Sequence, residues 1–256
     1  MEKILIMNEI SRIRLGVNID HVATLRNARG TFYPDPLKMV KLLEKFDVDG
    51  VTVHLREDRR HIIDSDVKRI TNESNLPVNL EMAATEEMQK IATELIPNAV
   101  CLVPEKREER TTEGGLDVIT EENKLKTFLD PIIQKNIRVS LFVSPDISQI
   151  EAASRVGANI IELNTGTFCD LLIENNKKEY LEEFEKLKEA SVYGKNLGLE
   201  IHGGHGLTFE SVKYIASIPE IRELNIGHFL ISQAVFDGIE KTINTMRLEI
   251  DNSQKK

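Results

Sequence analysis

The sequence is short of cysteine, of excess positive charge and of long apolar runs, and each shortage excludes a class of protein. Its two cysteines, Cys101 and Cys169, form neither a disulfide framework nor a Cys-x-x-Cys metal motif. With 33 Lys and Arg against 42 Asp and Glu, the formal charge of −9 argues against a generic nucleic-acid-binding surface. No apolar run approaches the roughly 20 residues of a membrane span, and residues 4–7 are too short for a secretory signal core. We therefore predict a cytoplasmic protein that binds neither nucleic acid nor membrane.

What the sequence does contain is a repeated alternation of short β-branched runs with stretches of helical periodicity. The predicted strands are residues 14–20, 50–54, 77–81, 99–103, 138–143, 160–164, 198–202 and 223–227. Eight such units in about 240 residues predict an α/β fold, a single (β/α)8 TIM barrel with additional short helices and extended loops. A doubly wound open sheet of eight strands is the alternative. We place one domain over residues 1–256, with terminal extensions at about 1–11 and 251–256.

The helices between these strands carry start signals and apolar faces. They are predicted over residues 35–47, from Asp64 onward, over 85–95, 121–136, 147–156 and 177–196, and briefly after Thr208. A long final helix places Ile231, Val235, Ile239 and Ile243 on one face. The polar connection over residues 104–119 is unusually long for a compact domain, and we interpret it as a lid or binding loop.

The placement of the histidines is the most informative feature of the sequence. All six lie at or just beyond the predicted C-terminal end of a strand: His21, His54, His61, His202, His205 and His228. Barrel enzymes build their active sites on that face, because loops from eight strands converge there. The same face collects the polar residues Asn18, Asp20, Arg56, Glu81, Glu162 and Asn164.

Two of these residues have features of proton-transfer groups. Glu81 lies among apolar neighbours, where burial would raise the pKa of its carboxyl towards the range of a general base. His54 ends a β-branched run, at a position where an imidazole can reach the barrel mouth. Arg56 follows two positions later and leaves the chain on the same side, so a base and an anion-binding group point together.

Cations and glycines on this face predict a phosphorylated ligand. The cations are Arg26, Arg29, Arg56, Arg59, Arg60, Lys106 and Arg107. Glycines surround His205 and precede His228, after the seventh and eighth strands, where barrel enzymes often bind phosphate. His-x-His, His-Glu-x-x-His, Gly-x-Gly-x-x-Gly and Walker motifs are missing, so we predict no metal, nicotinamide or nucleotide triphosphate site.

These motifs resemble those of the pyridoxine 5′-phosphate synthase family over nearly the whole chain. The matching blocks are LGVNIDHVATLRNARGTFYPDP from Leu15, DGVTVHLREDRRHI from Asp49, NLEMA from Asn79, CLVPEKREERTTEGGLDV from Cys101, GGHGL from Gly203 and ELNIGH from Glu223. Several blocks in the same order are far more specific than one short motif. The family closes the pyridine ring in the deoxyxylulose-5-phosphate route to vitamin B6.

The resemblance implies a reaction, an assembly and a set of roles. It implies a cofactor-free condensation of 3-amino-2-oxopropyl phosphate with 1-deoxy-D-xylulose 5-phosphate, giving pyridoxine 5′-phosphate, inorganic phosphate and water, by a homo-octamer built as a tetramer of dimers. His54 and Glu81 would be proton acceptors, His205 the proton donor and Glu162 a stabiliser of the transition state. The substrate-binding residues would be Asn18, Asp20, His21, Arg29, Arg56, His61, Thr111, Gly206, Gly227 and His228.

Two positions depart from the family pattern and keep other functions open. The family usually has His where Asn164 stands, and commonly Asn-Ala where His202-Gly203 stand. Asn164 could form hydrogen bonds but could not carry a proton, and we expect His202 to compensate for it. The alternatives are a metal-dependent barrel hydrolase or isomerase, and a non-catalytic barrel that senses a phosphorylated metabolite.

Overall fold

The computed structural model describes residues 12–105 and 114–255, which form a closed barrel of parallel strands. The strands are β1 (Arg14–Asn18), β2 (Gly50–His54), β3 (Val78–Met82), β4 (Ala99–Leu102), β5 (Arg138–Val143), β6 (Ile160–Asn164), β7 (Glu200–Gly204) and β8 (Ile221–Ile226). Each strand pairs with the next along the chain, and β8 closes onto β1 with Arg14 opposite Glu223. The predicted (β/α)8 barrel is confirmed, and the open sheet is excluded.

Helices surround this barrel. Within the described residues they are α1 (Asp20–Asn27), α2 (Pro36–Leu43), α3 (Asp64–Glu73), α4 (Glu86–Leu95), α5 (Val118–Gln134), α6 (Ile147–Arg155), α7 (Gly166–Ile173), α8 (Lys177–Asn196), α9 (Val212–Ile215), α10 (His228–Asp237) and α11 (Ile239–Ser253). Asp35 caps α2 as predicted, by accepting a hydrogen bond from Leu37 N. Thr85, predicted as the first residue of its helix, caps α4 instead, and Asp64, predicted as a cap, is the first residue of α3 after Ile63. None of the helices in this part of the chain combines the length and apolarity that a membrane span requires.

The main hydrophobic core lies between the sheet and the helices, not inside the barrel. Alternate residues of each strand point outward, so Ile161 and Leu163 of β6 join that core. Inside the barrel, the apolar contacts of Cys101, Val103 and Phe142 form a small separate cluster. The remaining interior positions are free for polar side chains, and these reach the site described below.

The C-terminal part of the chain differs from the sequence prediction. The predicted long final helix is two helices, α10 and α11, because Gly238 between them has φ +78° and interrupts the helical backbone. Val235, predicted to share one apolar face with Ile231, Ile239 and Ile243, is 74% exposed. Helix α11 continues to Ser253, and the Gln254 side chain accepts a hydrogen bond from Ile13 N, so residues 251–253 belong to the barrel's outer layer. The predicted extension at residues 1–11 lies outside the described residues.

Candidate active site

The carboxyl ends of the first three strands are tied together by polar side chains. Asn18 Nδ2 donates to Asp20 Oδ2 at 2.9 Å and faces Glu81 Oε2 at 3.4 Å. Asp20 Oδ1 accepts a hydrogen bond from the backbone N–H of His54 at 2.8 Å. These contacts bring four of the predicted site residues, from β1, the start of α1, β2 and β3, into one connected group.

His54 lies between two carboxylates. Its Nε2 is 2.8 Å from Glu105 Oε1, and its Nδ1 is 3.8 Å from Glu81 Oε2. A carboxylate can only accept, so the short contact assigns the proton to Nε2 and leaves the Nδ1 lone pair facing Glu81 and the barrel mouth. Glu105 is itself held by the backbone N–H of Glu57 at 3.0 Å. This is the geometry of a base oriented by a buried acid.

Sequence reasoning missed Glu105, although it lies three residues beyond β4. The signal that could have found it is an acidic residue shortly after a buried strand, in a block that also matched the family pattern.

The pKa values of the two carboxyl groups beside His54 are shifted in opposite directions. Burial raises the pKa of Glu81 well above its ordinary value, as predicted, and the nearby charges of Glu162 and Asp20 add to the effect. Burial also opposes ionisation of Glu105, but the hydrogen bond from His54 lowers its pKa overall. Such separation typically distinguishes a proton-transfer group from a group that stays charged.

Three other predicted histidines lie on the same face. The ring of His21, in α1, is 4.8 Å from that of His228, the first residue of α10. Burial, with a contribution from His228, lowers the pKa of His21 to about 4. Burial and the charge of His54 lower the pKa of His61 to about 3. His21 and His61 are therefore neutral hydrogen-bonding groups at physiological pH.

On the opposite wall, β6, β7 and β8 position Glu162. Its Oε2 accepts a hydrogen bond from Asn225 Nδ2 at 2.8 Å. An ideal Cβ on Gly204 would lie 2.1 Å from Glu162 Oε1, so only glycine at this position leaves room for the carboxylate. Burial raises the pKa of Glu162 to about 7 and Glu223 adds to the rise, while His202 and Asn225 oppose it.

His205 follows β7 in a left-handed backbone conformation, with φ +76°. Thr165 Oγ1 donates to the His205 carbonyl at 2.5 Å, and the His205 ring lies 6.3 Å from that of Phe142. Burial lowers the pKa of His205, although Asp170 opposes the shift. Gly206 follows with φ +79°, and a Cβ there would press on Cys169 at 3.0 Å. The loop thus fixes the direction in which the imidazole points.

His202 does not lie on this face, and the prediction that it compensates for Asn164 is wrong. β7 extends two residues beyond its predicted end, so His202 is in mid-strand. It faces the barrel interior and helps to line a cavity at the opposite, N-terminal end of the barrel. A Gly-Gly pair is typical of a turn, but Gly203 and Gly204 are the last two residues of β7. Neighbouring atoms occupy the space that a Cβ would need at each of them. Asn164 Oδ1 accepts a hydrogen bond from the backbone N–H of Gly166, the first residue of α7, at 2.8 Å.

The predicted cations divide into two groups. Four of them pair with carboxylates within the fold: Arg26 with Asp66, Arg59 with Asp64, and both Arg56 and Arg60 with Asp58. Arg56 is buried beside the site, and Arg29 is exposed in the turn after α1. Thr111, Lys106 and Arg107 lie outside the described residues, as does the whole of 106–113 in the predicted 104–119 loop.

One group of described side chains has spacing suitable for a metal ion. Ligand atoms of Asp20, His54 and His61 lie within 4.8 Å of one another. His61 Nδ1 already accepts a hydrogen bond from Ile62 N at 2.9 Å. Its Nε2 and the Asp20 carboxylate still face the site, so this group gives the metal-dependent alternative a definite location.

The chain matches known proteins over nearly its full length. The family model "Pyridoxal phosphate biosynthesis protein PdxJ" matches residues 15–252. The chain belongs to this family. It is 53% identical over 245 residues to the pyridoxine 5′-phosphate synthase of Ruegeria pomeroyi, covering 96% of this chain and 99% of that protein. It is 52% identical over 240 residues to the protein of the same name from Zymomonas mobilis, covering 94% and 92%.

Solved structures similar to this PdxJ-family chain support its fold. Orotidine 5′-monophosphate decarboxylase from Methanocaldococcus jannaschii matches with a TM-score of 0.63 and 13% identity, covering 94% of this chain and 99% of the other. N-(5′-phosphoribosyl)anthranilate isomerase from Pyrococcus furiosus matches with a TM-score of 0.60 and 13% identity, covering 94% and 100%. At these identities the similarity concerns the barrel alone.

The raised pKa of Glu162 predicts that this PdxJ-family fold loses stability as pH rises. The ordinary pKa is 4.5 and the folded value about 7, so between these pH values the unfolded chain releases a proton that the folded chain retains. Glu162→Gln removes this penalty and should raise the free energy of unfolding at pH 8 by roughly 1–3 kcal/mol. Urea unfolding at pH 4.5 and pH 8 measures it. The exposed Glu94→Gln is the control, and an equal effect of Glu162→Gln at both pH values would contradict the prediction.

Proposed function

We propose that this protein condenses 3-amino-2-oxopropyl phosphate with 1-deoxy-D-xylulose 5-phosphate to give pyridoxine 5′-phosphate, phosphate and water, without a cofactor. The product differs from the substrates only by loss of phosphate and water, so the reaction needs proton transfers but no oxidant. The observation that carries this proposal is His54 held between Glu81 and Glu105 at the mouth of a PdxJ-family barrel.

The site supplies proton-transfer groups on both sides of the space where the substrates meet. Joining an amine to a ketone, expelling water and phosphate, and closing the ring require proton removal and donation at several atoms. We assign proton acceptance to the Nδ1 of His54 and to the ionised carboxylate of Glu81, whose raised pKa makes it a stronger base than an ordinary glutamate. We assign proton donation to His205 and stabilisation of transition-state charge to Glu162.

Phosphate binding is assigned to the loops that surround these groups. Gly227 lies against Asn18 and precedes the first residue of α10, where free backbone N–H groups and the helix dipole favour an anion. Gly206 opens the corresponding loop after β7. Arg56 and Arg29 supply positive charge on the β1 and β2 side. The remaining substrate contacts are assigned to Asp20, His21, His61, Thr111 and His228.

The deciding experiment mixes purified, chelator-treated protein with both phosphorylated substrates and follows pyridoxine 5′-phosphate and released phosphate together. Equal formation of both products would support the proposal and show that Asn164 is tolerated. Substrate binding without product would favour a metabolite sensor. Activity that disappears with chelation and returns with a divalent metal would favour the group Asp20, His54 and His61 as a metal site. Neither binding nor turnover would refute the assignment.

Loss of positive charge at Arg29 should weaken substrate capture more than turnover. Arg29 is exposed, so Arg29→Ala leaves the core packing unchanged, and we expect KM to rise about tenfold with a smaller change in kcat. Arg222→Ala removes a charge from the N-terminal end of the barrel and is the matched control. Steady-state kinetics with each substrate varied in turn would measure both constants. An unchanged KM for both substrates would remove Arg29 from the phosphate-binding assignment.

We also propose that the protein assembles as a homo-octamer in the cytoplasm. Phe32 and Phe236 are 86% and 85% exposed, and Val235 is exposed beside Phe236 on α10. Large apolar side chains that are exposed to this extent often lie in interfaces between subunits. Light scattering should give a mass of eight chains, and Phe236→Ser should reduce it. A monomer at micromolar concentration would contradict this assembly.

A further inference from the structure

Glu105 is a buried carboxylate to which the proposed reaction assigns no role. It lies three residues beyond β4, and 4% of its side chain is exposed. One oxygen, Oε1, is 2.8 Å from Nε2 of His54, and the other, Oε2, accepts a hydrogen bond from the backbone N–H of Glu57 at 3.0 Å. The two oxygens therefore face two different donors, one on the proposed base at the end of β2 and one in the turn that follows it.

The turn that supplies the second donor is held independently of Glu105. Arg59, with φ +50°, donates its backbone N–H to the Arg56 carbonyl at 3.0 Å and its Nη1 to the Glu57 carbonyl at 3.1 Å. The same guanidinium pairs with Asp64 at the start of α3. The Glu57 N–H thus keeps its direction, and the atom opposite it has to be an acceptor.

Two donors on one side chain require an ionised carboxyl group. A carboxylate accepts at both oxygens, whereas an amide accepts at one position and donates at the other. With Glu105 ionised, the neutral ring of His54 carries its proton on Nε2, and Nδ1 is free to take up another. Burial opposes ionisation of Glu105, but the hydrogen bond and charge of His54 and the Glu57 N–H lower its pKa overall.

The same contact matters after the proton has moved. When Nδ1 takes up a proton from substrate, the ring of His54 becomes an imidazolium whose Nε2–H is directed at Glu105. A charge-assisted hydrogen bond over 2.8 Å stabilises that imidazolium. Glu81 is 3.8 Å from the other nitrogen, so it cannot replace this contact.

We propose that Glu105 is a positioning residue that acts through His54: its carboxylate keeps the proton of the neutral ring on Nε2, so that Nδ1 stays a base, and it stabilises the imidazolium that forms. This inference rests on the proposed function, in which Nδ1 accepts a proton. Other titratable groups lie around His54: Asp20 accepts its backbone N–H, Glu81 faces Nδ1, and the His61 ring is 5.8 Å away.

Glu105→Gln should move the proton to the wrong nitrogen. The Glu57 N–H selects the amide oxygen, and the amide NH2 then faces Nε2 of His54. Two donors cannot face each other without leaving a buried group unpaired, so Nε2 becomes the acceptor and Nδ1 carries the proton. Nδ1–H is then directed at Glu81, and both proposed proton acceptors are blocked.

The first test locates the proton directly. Magic-angle-spinning NMR of protein with isotopically labelled histidine distinguishes protonated from unprotonated ring nitrogens, and His54→Asn identifies the signals of His54. At pH 8, where an ordinary imidazole is neutral, we expect the proton on Nε2 in the wild-type protein and on Nδ1 in Glu105→Gln. We expect kcat of Glu105→Gln to fall by more than about 100-fold, with KM changing less than about threefold. Glu86→Gln, exposed at the start of α4 on the same face, is the control and should change neither.

A second variant keeps the inference testable if glutamine disturbs the fold. Glu105→Ala leaves space beside His54 where a small molecule can take the place of the carboxyl group. Formate offers two acceptor oxygens, and formamide, of nearly the same shape, offers one oxygen and an NH2. Added formate should restore part of the turnover, and formamide should not. Equal rescue by both compounds would mean that Glu105 only fills space, and this would overturn the proposal.

The NMR and kinetic results together separate this role from a structural one and from failure of the proposed function. Near-normal turnover of Glu105→Gln would overturn the proposal. Lost turnover with the proton still on Nε2 would also overturn it, since Glu105 would then serve the structure alone. Wild-type protein that makes no pyridoxine 5′-phosphate would refute the proposed function, whereas a proton moved to Nδ1 in Glu105→Gln would still show that Glu105 sets the protonation of His54.

Discussion

Replacing Glu81 with glutamine should lower turnover of the synthase reaction by more than about 100-fold while the protein stays folded. The carboxyl lies partly buried between Asn18 and His54, with Glu81 Oε2 3.4 Å from Asn18 Nδ2 and 3.8 Å from His54 Nδ1. Glutamine keeps the size and the hydrogen-bonding oxygen but cannot take up a proton. The loss should therefore appear in kcat, with little change in KM.

The exposed Glu94→Gln on α4 is the matched control for this variant, since it removes a carboxylate from the same strand–helix unit without touching the site. Single-turnover measurements with both substrates would show whether the chemical step is the one that slows. If Glu81→Gln retains near-normal turnover, Glu81 is not a proton acceptor. His54 and Glu105 would then carry that role without it.

Replacing His205 with asparagine should also lower turnover by about 100-fold or more, because the proposed proton donor is lost. Asparagine is the suitable substitute, since it tolerates the left-handed backbone that His205 adopts at φ +76°. Burial destabilises the imidazolium, so a proton that His205 acquires is readily given to substrate. Steady-state turnover and thermal unfolding, measured together, separate a lost proton donor from a damaged loop.

A second variant makes the test of His205 sharper. His205→Gly also fits the backbone and leaves space beside Phe142 and Gly166 where a free imidazole can bind. Added imidazole should restore part of the activity of His205→Gly and none of the activity of Glu81→Gln. Turnover above about a tenth of the wild-type rate in His205→Asn would exclude His205 as the main proton donor.

The strand–helix alternation was readable because each β-branched run and each capped helix carries a local signal. All eight strands were placed within a few residues, and the cap at Asp35 acts as predicted. Helices α1 and α7 were missed: the residues of α1 were interpreted as part of a site loop, and those of α7 were assigned to no element. The last two helices were predicted as one because the apolar spacing continues across Gly238. The positive φ of Gly238 is a property of the folded chain that the spacing does not indicate.

The site was only partly readable for a similar reason. Strand ends identified Asn18, Asp20, His54, Glu81 and Glu162 as neighbours, since parallel strands bring their carboxyl ends to one edge. Glu105 was missed, because only the folded loop brings it within 2.8 Å of His54. His202 was assigned to the wrong end of the barrel, because a glycine pair resembles a turn when the packing against Glu162 is unknown.

The sequence by itself determined the barrel, its family and the set of acids and histidines that converge at one end. These follow from local periodicity and from motifs whose order is fixed along the chain. The tertiary structure alone decided which groups share protons and charges. Whether the pKa of a carboxyl is raised, as for Glu81, or lowered, as for Glu105, depends on its burial and on the partners that other strands bring to it. Those distances arise only when the strands pair into one sheet that brings β2, β3 and β4 side by side.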